Sequence, residues 1–150
     1  MTVADRDAGT EARRGVMALC AAAKADELAR ALVGLGAPEA EDLRAPEIGL
    51  VMATGRIGGD GRPFNLGEVS VTRAAVRLAD GRTGFAYHLG RDRRRARQAA
   101  ILDALWQGDR AGVEAALAPV ARRQAEERAA EARRTAATRV DFLTLARGED

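Results

Sequence analysis

Along the first forty residues, apolar positions recur at helical spacing. Val16, Leu19 and Cys20 predict a helix from Thr10 to about Ala23. Leu28, Leu32 and Leu35 predict a second, with Asp26 placed to cap it. Gly34 and Gly36 end that helix and Pro38 prevents its restart. Residues 1–9 are polar and are expected to fray. The period then changes. Ile48 to Ile57 predicts a strand, and Gly58-Gly59-Asp60-Gly61-Arg62-Pro63 a turn. Val69, Val71 and Thr72 open a second strand ending near Leu78. Its apolar parity switches from Val69/Val71 to Val76/Leu78, which requires a bulge, a twist or burial on both faces. Asp80-Gly81 predicts a two-residue hairpin turn, and Thr83, Phe85, Tyr87 and Leu89 alternate as a third strand. The glycine-rich run joins strand to strand rather than strand to helix, which argues against a dinucleotide fold.

Helical spacing returns from about Asp92 to Gln107, with Ile101, Leu102, Leu105 and Trp106 as the stripe. Gly108 ends this helix and Asp109 caps the next, where Val113, Leu117 and Val120 are spaced helically. Pro119 either kinks that helix or opens a new one. Residues 121–137 are almost all Ala, Arg, Glu and Gln, a segment rich in helix propensity and poor in core. The run Val140-Asp141-Phe142-Leu143-Thr144-Leu145 is apolar again. The predicted class is α+β in a single domain: an antiparallel three-stranded meander, N-terminal helices and a helical arm over residues 109–137.

Composition changes this picture in two ways. Of 150 residues 34 are alanine, whereas Leu, Ile, Val and Phe together number 30, so the core is thin. A chain of this kind is expected to need a partner to bury enough surface. There is also little catalytic material: one His (His88), one Cys (Cys20), one Ser (Ser70) and one Lys (Lys24). A zinc site made by this chain alone, a Ser-His-Asp triad and a phosphate-binding P-loop all lack their residues. The single cysteine excludes an internal disulfide and suits a reducing cytosol. No apolar run reaches the roughly 18 residues of a membrane span, and no signal-peptide core is present. Net charge is +2, distributed as −1 over residues 1–40, 0 over 41–90 and +3 over 91–150.

Arginine carries the remaining candidate chemistry. Arg56 and Arg62 flank the glycine hairpin, where backbone N–H groups of Gly58 and Gly59 can converge on an anion. The alternative is a flexible hairpin tip, or one that inserts into a neighbouring subunit. Arg73 and Arg77 lie at i and i+4 of the middle strand and share a face; Glu47 and Glu68 are available as internal partners. Gly90-Arg91-Asp92-Arg93-Arg94-Arg95-Ala96-Arg97 concentrates positive charge in a first helical turn, where it opposes the macrodipole. That points to an acidic or phosphate partner; a solvated basic face is the equal alternative. His88 is expected to be a hydrogen-bonded strand-end residue.

Several runs then occur together: Arg44-Ala45-Pro46-Glu47-Ile48-Gly49-Leu50-Val51, the Gly-Gly hairpin, Phe64 to Glu68, and Thr72-Arg73-Ala74-Ala75-Val76-Arg77-Leu78. Gly90-Arg91-Asp92, Ile101-Leu102-Asp103-Ala104-Leu105 and Arg139-Val140-Asp141-Phe142 follow in order. In these runs the chain resembles the PhnG family, one of the component families of the carbon–phosphorus lyase core complex. The resemblance covers about residues 12–148 and is densest over 44–108 and 139–148. It implies a role in bacterial phosphonate breakdown, in which ribose 5-triphosphate moves from ATP to a phosphonate and adenine is displaced. It assigns that chemistry chiefly to the I subunit, with PhnG and the H subunit required beside it. The J subunit then cleaves the carbon–phosphorus bond with S-adenosylmethionine and an iron–sulfur cluster. The resemblance implies the H, I and J subunits as partners, two copies of each with this chain, and a cytoplasmic location. No catalytic residue transfers onto this chain, and neither a metal nor a cofactor is expected on it alone. A stand-alone nucleic-acid-binding module using Arg91 to Arg97 is the alternative, although aromatic interleaving is absent. An independent small hydrolase is a third reading, which the missing residues disfavour.

Overall fold

The computed structural model describes residues 3–58 and 60–138. The elements run α1 (Val3–Ala22), α2 (Ala25–Gly34), β1 (Ala40–Arg56), β2 (Pro63–Leu78), β3 (Thr83–Leu89), α3 (Arg93–Trp106) and α4 (Arg110–Ala137). The strands form one antiparallel sheet in the order β1-β2-β3, so the fold is α+β with helices at both ends of the chain.

Several boundaries differ from the sequence expectation for physical reasons. Helix α1 starts at Val3 rather than Thr10. The cap of α2 is Lys24, not Asp26: the Glu27 carboxylate accepts the Lys24 backbone N–H at 2.8 Å, while Asp26 pairs with Arg30. Strand β1 begins at Ala40 rather than Ile48. Its polar first half pairs Ala40 with Leu78 and Glu47 with Arg73, interrupted by register shifts on either side of Arg44. An edge strand tolerates the charges, the bulges and Pro46 that a central strand would reject. Strand β2 likewise starts at Pro63 rather than Val69. Its parity change reflects burial on both faces: Thr72, Ala74, Val76 and Leu78 on one, Val71 and Ala75 on the other. The β2–β3 loop holds three residues, because the Leu78 N–H donates to the Arg82 carbonyl at 2.9 Å; Gly81 supplies the left-handed residue (φ 88°). Helix α4 runs unbroken through Pro119.

The main helix contacts with the sheet come from α1 and α3, and α3 is the hub, touching all three strands and the other three helices. Its inner face is alanine: Ala96, Ala99, Ala100 and Ala104 are buried. They let the helix approach β3 so closely that a Cβ on Gly84 would overlap the Ala100 carbonyl oxygen and lie 2.6 Å from the Ala104 nitrogen. Leu28, Leu32, Val76, Leu102, Trp106, Val113, Leu117 and Val120 complete the core. The first half of α4 belongs to that core. Beyond Arg123, which clamps Glu27 at 2.7 and 2.8 Å, its residues are mostly exposed. The apolar run from Val140 lies outside the described residues.

Among the described residues, one charged group is buried with this core. Asp103, in the middle of α3, is 2% exposed. It accepts two hydrogen bonds at 2.8 Å from Arg13 of α1 and one at 2.8 Å from the Phe85 N–H of β3. Asp103→Ala is expected to destabilise the fold by about 3 kcal/mol, because it strands both a guanidinium and an edge N–H. Gly84→Ala is expected to lose about 1–3 kcal/mol by overpacking. Denaturant unfolding of the two variants measures both.

Candidate functional site

The arginines singled out by sequence do not converge on one pocket. At the hairpin tip the chain closes on itself. The Gly61 N–H donates to the Ile57 carbonyl at 3.0 Å, Arg56 donates to the Gly61 carbonyl at 3.2 Å, and Gly58 takes φ 66°. Arg56 is therefore engaged in the turn, Arg62 is exposed, and Gly59 lies outside the described residues. On β2, Arg73 and Arg77 point away from the helices and are half-exposed. Arg73 pairs at 2.6 Å with its cross-strand neighbour Glu47, which also takes Arg44 at 2.7 Å. The hydrogen bond from Arg73 holds the Glu47 carboxyl below its ordinary range. Arg77 reaches Glu41 only at 3.9 Å, and Glu68, the other expected partner, takes part in neither pair. The internal ion pairs expected of these arginines are present, with Glu41 in place of Glu68.

The arginine run at the start of α3 divides in two. Arg95 donates to the Ala21 carbonyl at the end of α1, and Arg97 holds Asp42 and the Ala40 carbonyl, both at 2.7 Å. Asp92 caps the helix through the Arg95 N–H at 2.9 Å. Arg91, Arg93 and Arg94 are exposed and have no hydrogen-bond or ion-pair partner among the described residues.

His88, Cys20 and Asp103 do come together. They line a cavity of about 50 Å³ between α1, α3 and β3, with Val16, Met17, Phe85, Ala86, Tyr87 and Ala99. The geometry differs from the expected hydrogen-bonded histidine: His88 is 3% exposed and its Nδ1 is buried without a partner. Burial lowers its pKa to about 4, with Arg95 adding to the shift and Asp92 opposing it. Burial also pushes the Cys20 thiol up to about 12, with Asp103 adding to it. A neutral imidazole beside a protonated thiol has no activated nucleophile. Ser70 faces Leu50 across the ladder and makes no hydrogen bond to His88. Among the described residues no group of three or more His, Cys, Asp or Glu is placed to hold a metal ion. Asp103, Arg13 and the Glu27–Arg123 clamp had no assigned role in the sequence; the visible signal was an aspartate inside the apolar stripe Ile101-Leu102-Asp103-Ala104-Leu105.

The most distinctive surface is apolar. Beyond the helices, the β1–β2 ribbon exposes Leu50, Met52, Ile57, Phe64 and Leu66. The sheet face turned away from the helices exposes Phe85, Tyr87 and Leu89 on β3. An antiparallel sheet with one solvated face is normally polar there, and an isolated two-stranded ribbon is marginal in water.

The profile of the family described as "Phosphonate metabolism protein PhnG" matches residues 11–148. A curated relative from Rhizobium meliloti (strain 1021), the alpha-D-ribose 1-methylphosphonate 5-triphosphate synthase subunit PhnG, is 52% identical over 147 residues. The match spans 96% of this chain and 94% of the relative. Among the described residues no helix is long and apolar enough to cross a membrane.

The buried imidazole predicts a pH dependence. In the fold His88 stays neutral down to about pH 4, whereas in the unfolded chain it takes a proton near its ordinary value of 6.5. The unfolded state binds more protons between these values, so stability is expected to fall as pH drops from about 6.5 to about 4. Glu27, held down to about 2 by Arg123, adds a second loss as pH falls below its ordinary 4.5. Denaturation midpoints measured against pH are expected to lose the first slope, and keep the second, in His88→Gln.

Proposed function

The chain belongs to the PhnG family of phosphonate metabolism proteins, and from that membership we propose that it is a subunit of an alpha-D-ribose 1-methylphosphonate 5-triphosphate synthase. In this reading it contributes surface and scaffold rather than an acid, base or nucleophile. The complex moves ribose 5-triphosphate from ATP to a phosphonate and releases adenine. The partners are the H, I and J subunits of carbon–phosphorus lyase, two copies of each with this chain, in the cytoplasm. S-adenosylmethionine and the iron–sulfur cluster belong to another subunit.

The observation that carries this reading is the uncovered apolar surface of the ribbon and the sheet. Leu50 is 59% exposed, Ile57 77% and Leu89 74%, on a chain whose own core is built largely from alanine. Exposed apolar residues at this density, on the ribbon and on the uncovered sheet face, mark interfaces rather than free solvent faces. The buried, neutral state of His88 and the protonated thiol of Cys20 support a non-catalytic role. The nucleic-acid reading is weakened, because two of the five arginines from Arg91 to Arg97 are bound internally.

Two outcomes are expected. Expressed alone, the chain is poorly soluble or melts with low cooperativity; co-expressed with the other subunits, it elutes in one large complex on size exclusion. His88→Ala leaves turnover of the assembled complex within about tenfold of wild type, where loss of a general acid or base would cost 10²–10⁴. Arg73→Ala separates contact types in the same assay: lost assembly identifies a subunit contact, while intact assembly with a raised KM for ATP identifies a phosphate contact.

A further inference from the structure

The unpaired arginines at the start of α3 and the exposed apolar residues of β1 form one surface. Thr72 faces the helices and is buried. From Thr72 to Glu68 the ladder with β1 runs without a register shift: Ile48 opposes Thr72, Leu50 opposes Ser70, and Met52 opposes Glu68. Side chains two residues apart share a face, so Leu50 and Met52 lie on the helix side of the sheet. No helix covers them; they are 59% and 52% exposed. Helix α3 starts at the same row. The Gly90 N–H donates to the Ser70 carbonyl at 2.8 Å, and the Thr72 hydroxyl donates to the Gly90 carbonyl at 2.7 Å. The chain therefore steps from the end of β3 into α3 at the row of Ser70, one strand across from Leu50, so that Leu50 and Met52 on β1 and the exposed Arg91, Arg93 and Arg94 lie at the same end of the helix layer as a ledge, apolar on one side and basic on the other.

We propose that this ledge docks a segment of a different synthase subunit that places apolar side chains over Leu50 and Met52 and carboxylates against Arg91, Arg93 and Arg94. The inference rests on the chain being a synthase subunit and names the chemistry of one of its contacts. Charge complementarity selects the occupant. Arg95 and Arg97 already have partners within the fold, whereas these three do not. Arginines in a first helical turn act against the helix macrodipole, so an external anion is what offsets them. A second copy of this chain fits poorly: a two-fold contact centred here sets three unpaired arginines against three others. The apolar side sets the site apart from one for free phosphate, which needs no such contact.

The native sequence has a single lysine, Lys24, which makes a zero-length cross-link from a lysine introduced on the basic side easy to assign. The test is Arg94→Lys in the co-expressed complex, treated with a carbodiimide that joins amines to carboxylates. The wild-type complex run in parallel reports whether the chain assembles at all, and so tests the subunit reading separately. The expected result is an amide between position 94 and an Asp or Glu of a different subunit. Arg93→Glu and Leu50→Asp are each expected to weaken assembly roughly tenfold or more, with the amount of variant chain made in the co-expression checked to be unchanged for Arg93→Glu. A cross-link to a second copy of this chain, or no link to another subunit in an intact complex, overturns the proposal. So does intact assembly of both variants, or a raised KM for ATP in Arg93→Glu without loss of assembly.

Discussion

The fold is organised around a single buried carboxylate. Asp103 sits in the middle of α3 and binds Arg13 of α1 and the backbone of β3 at once. A charge in that position is tolerable only because three donors satisfy it; with any of them missing, the desolvation of the carboxylate would weigh against folding. The contact does more than neutralise a charge. Together with the Gln107 amide, which reaches the Thr83 carbonyl at 2.7 Å, it occupies outward-facing backbone groups at one end of β3. An edge strand that would otherwise invite pairing is thereby partly closed by side chains of its own helix layer.

The alanines that make the core thin also make it work. A helix bearing Leu or Ile at positions 96, 99, 100 and 104 could not come close enough to Gly84 for Asp103 to reach the Phe85 N–H. Close approach replaces large side chains as the source of packing contacts. On the face turned away from the helices burial reaches Val71 and Ala75 of β2 but leaves Phe85, Tyr87 and Leu89 uncovered, and the β1–β2 ribbon runs beyond the helices without support. A short-range solution to helix–sheet packing thus produces the long-range requirement for a partner.

Arginine use follows the same economy of elements. Helix α1 has no basic residue in its last turn, and its terminal carbonyls are met from outside. Arg95 of α3 donates to Ala21, and Arg123 of α4 donates to Ala22 at 3.2 Å while gripping Glu27 of α2. Three helices are joined at the end of a fourth by two guanidiniums, a geometry suited to their fixed fork of donors. Arg91, Arg93 and Arg94 are left unpaired close together at the start of α3; Arg62, Arg122, Arg133 and Arg134 are unpaired elsewhere among the described residues.

Local sequence alone determined the class and order of elements. Helical periodicity at Val16, Leu28 and Leu102, the alternation from Thr83 to Leu89 and the glycine turns predicted an α+β meander, and the scarcity of His, Cys and Ser limited the catalytic options. The family was legible in runs such as Thr72 to Leu78. Strand lengths were not, because the polar residues Ala40–Glu47 become a strand only when β2 supplies a ladder for them to pair with. The partner of Arg77 was not legible for the same reason: cross-strand register, not sequence distance, sets Glu41 against it. The burial of His88 and the role of Asp103 depend on where α1 and α3 lie on the sheet, a distance of some ninety residues in the case of Arg13 and Asp103. Propensity and periodicity act over a few residues. Close packing and paired charge act between elements, so only the tertiary structure could decide which arginines are bound within the chain and which are left for another.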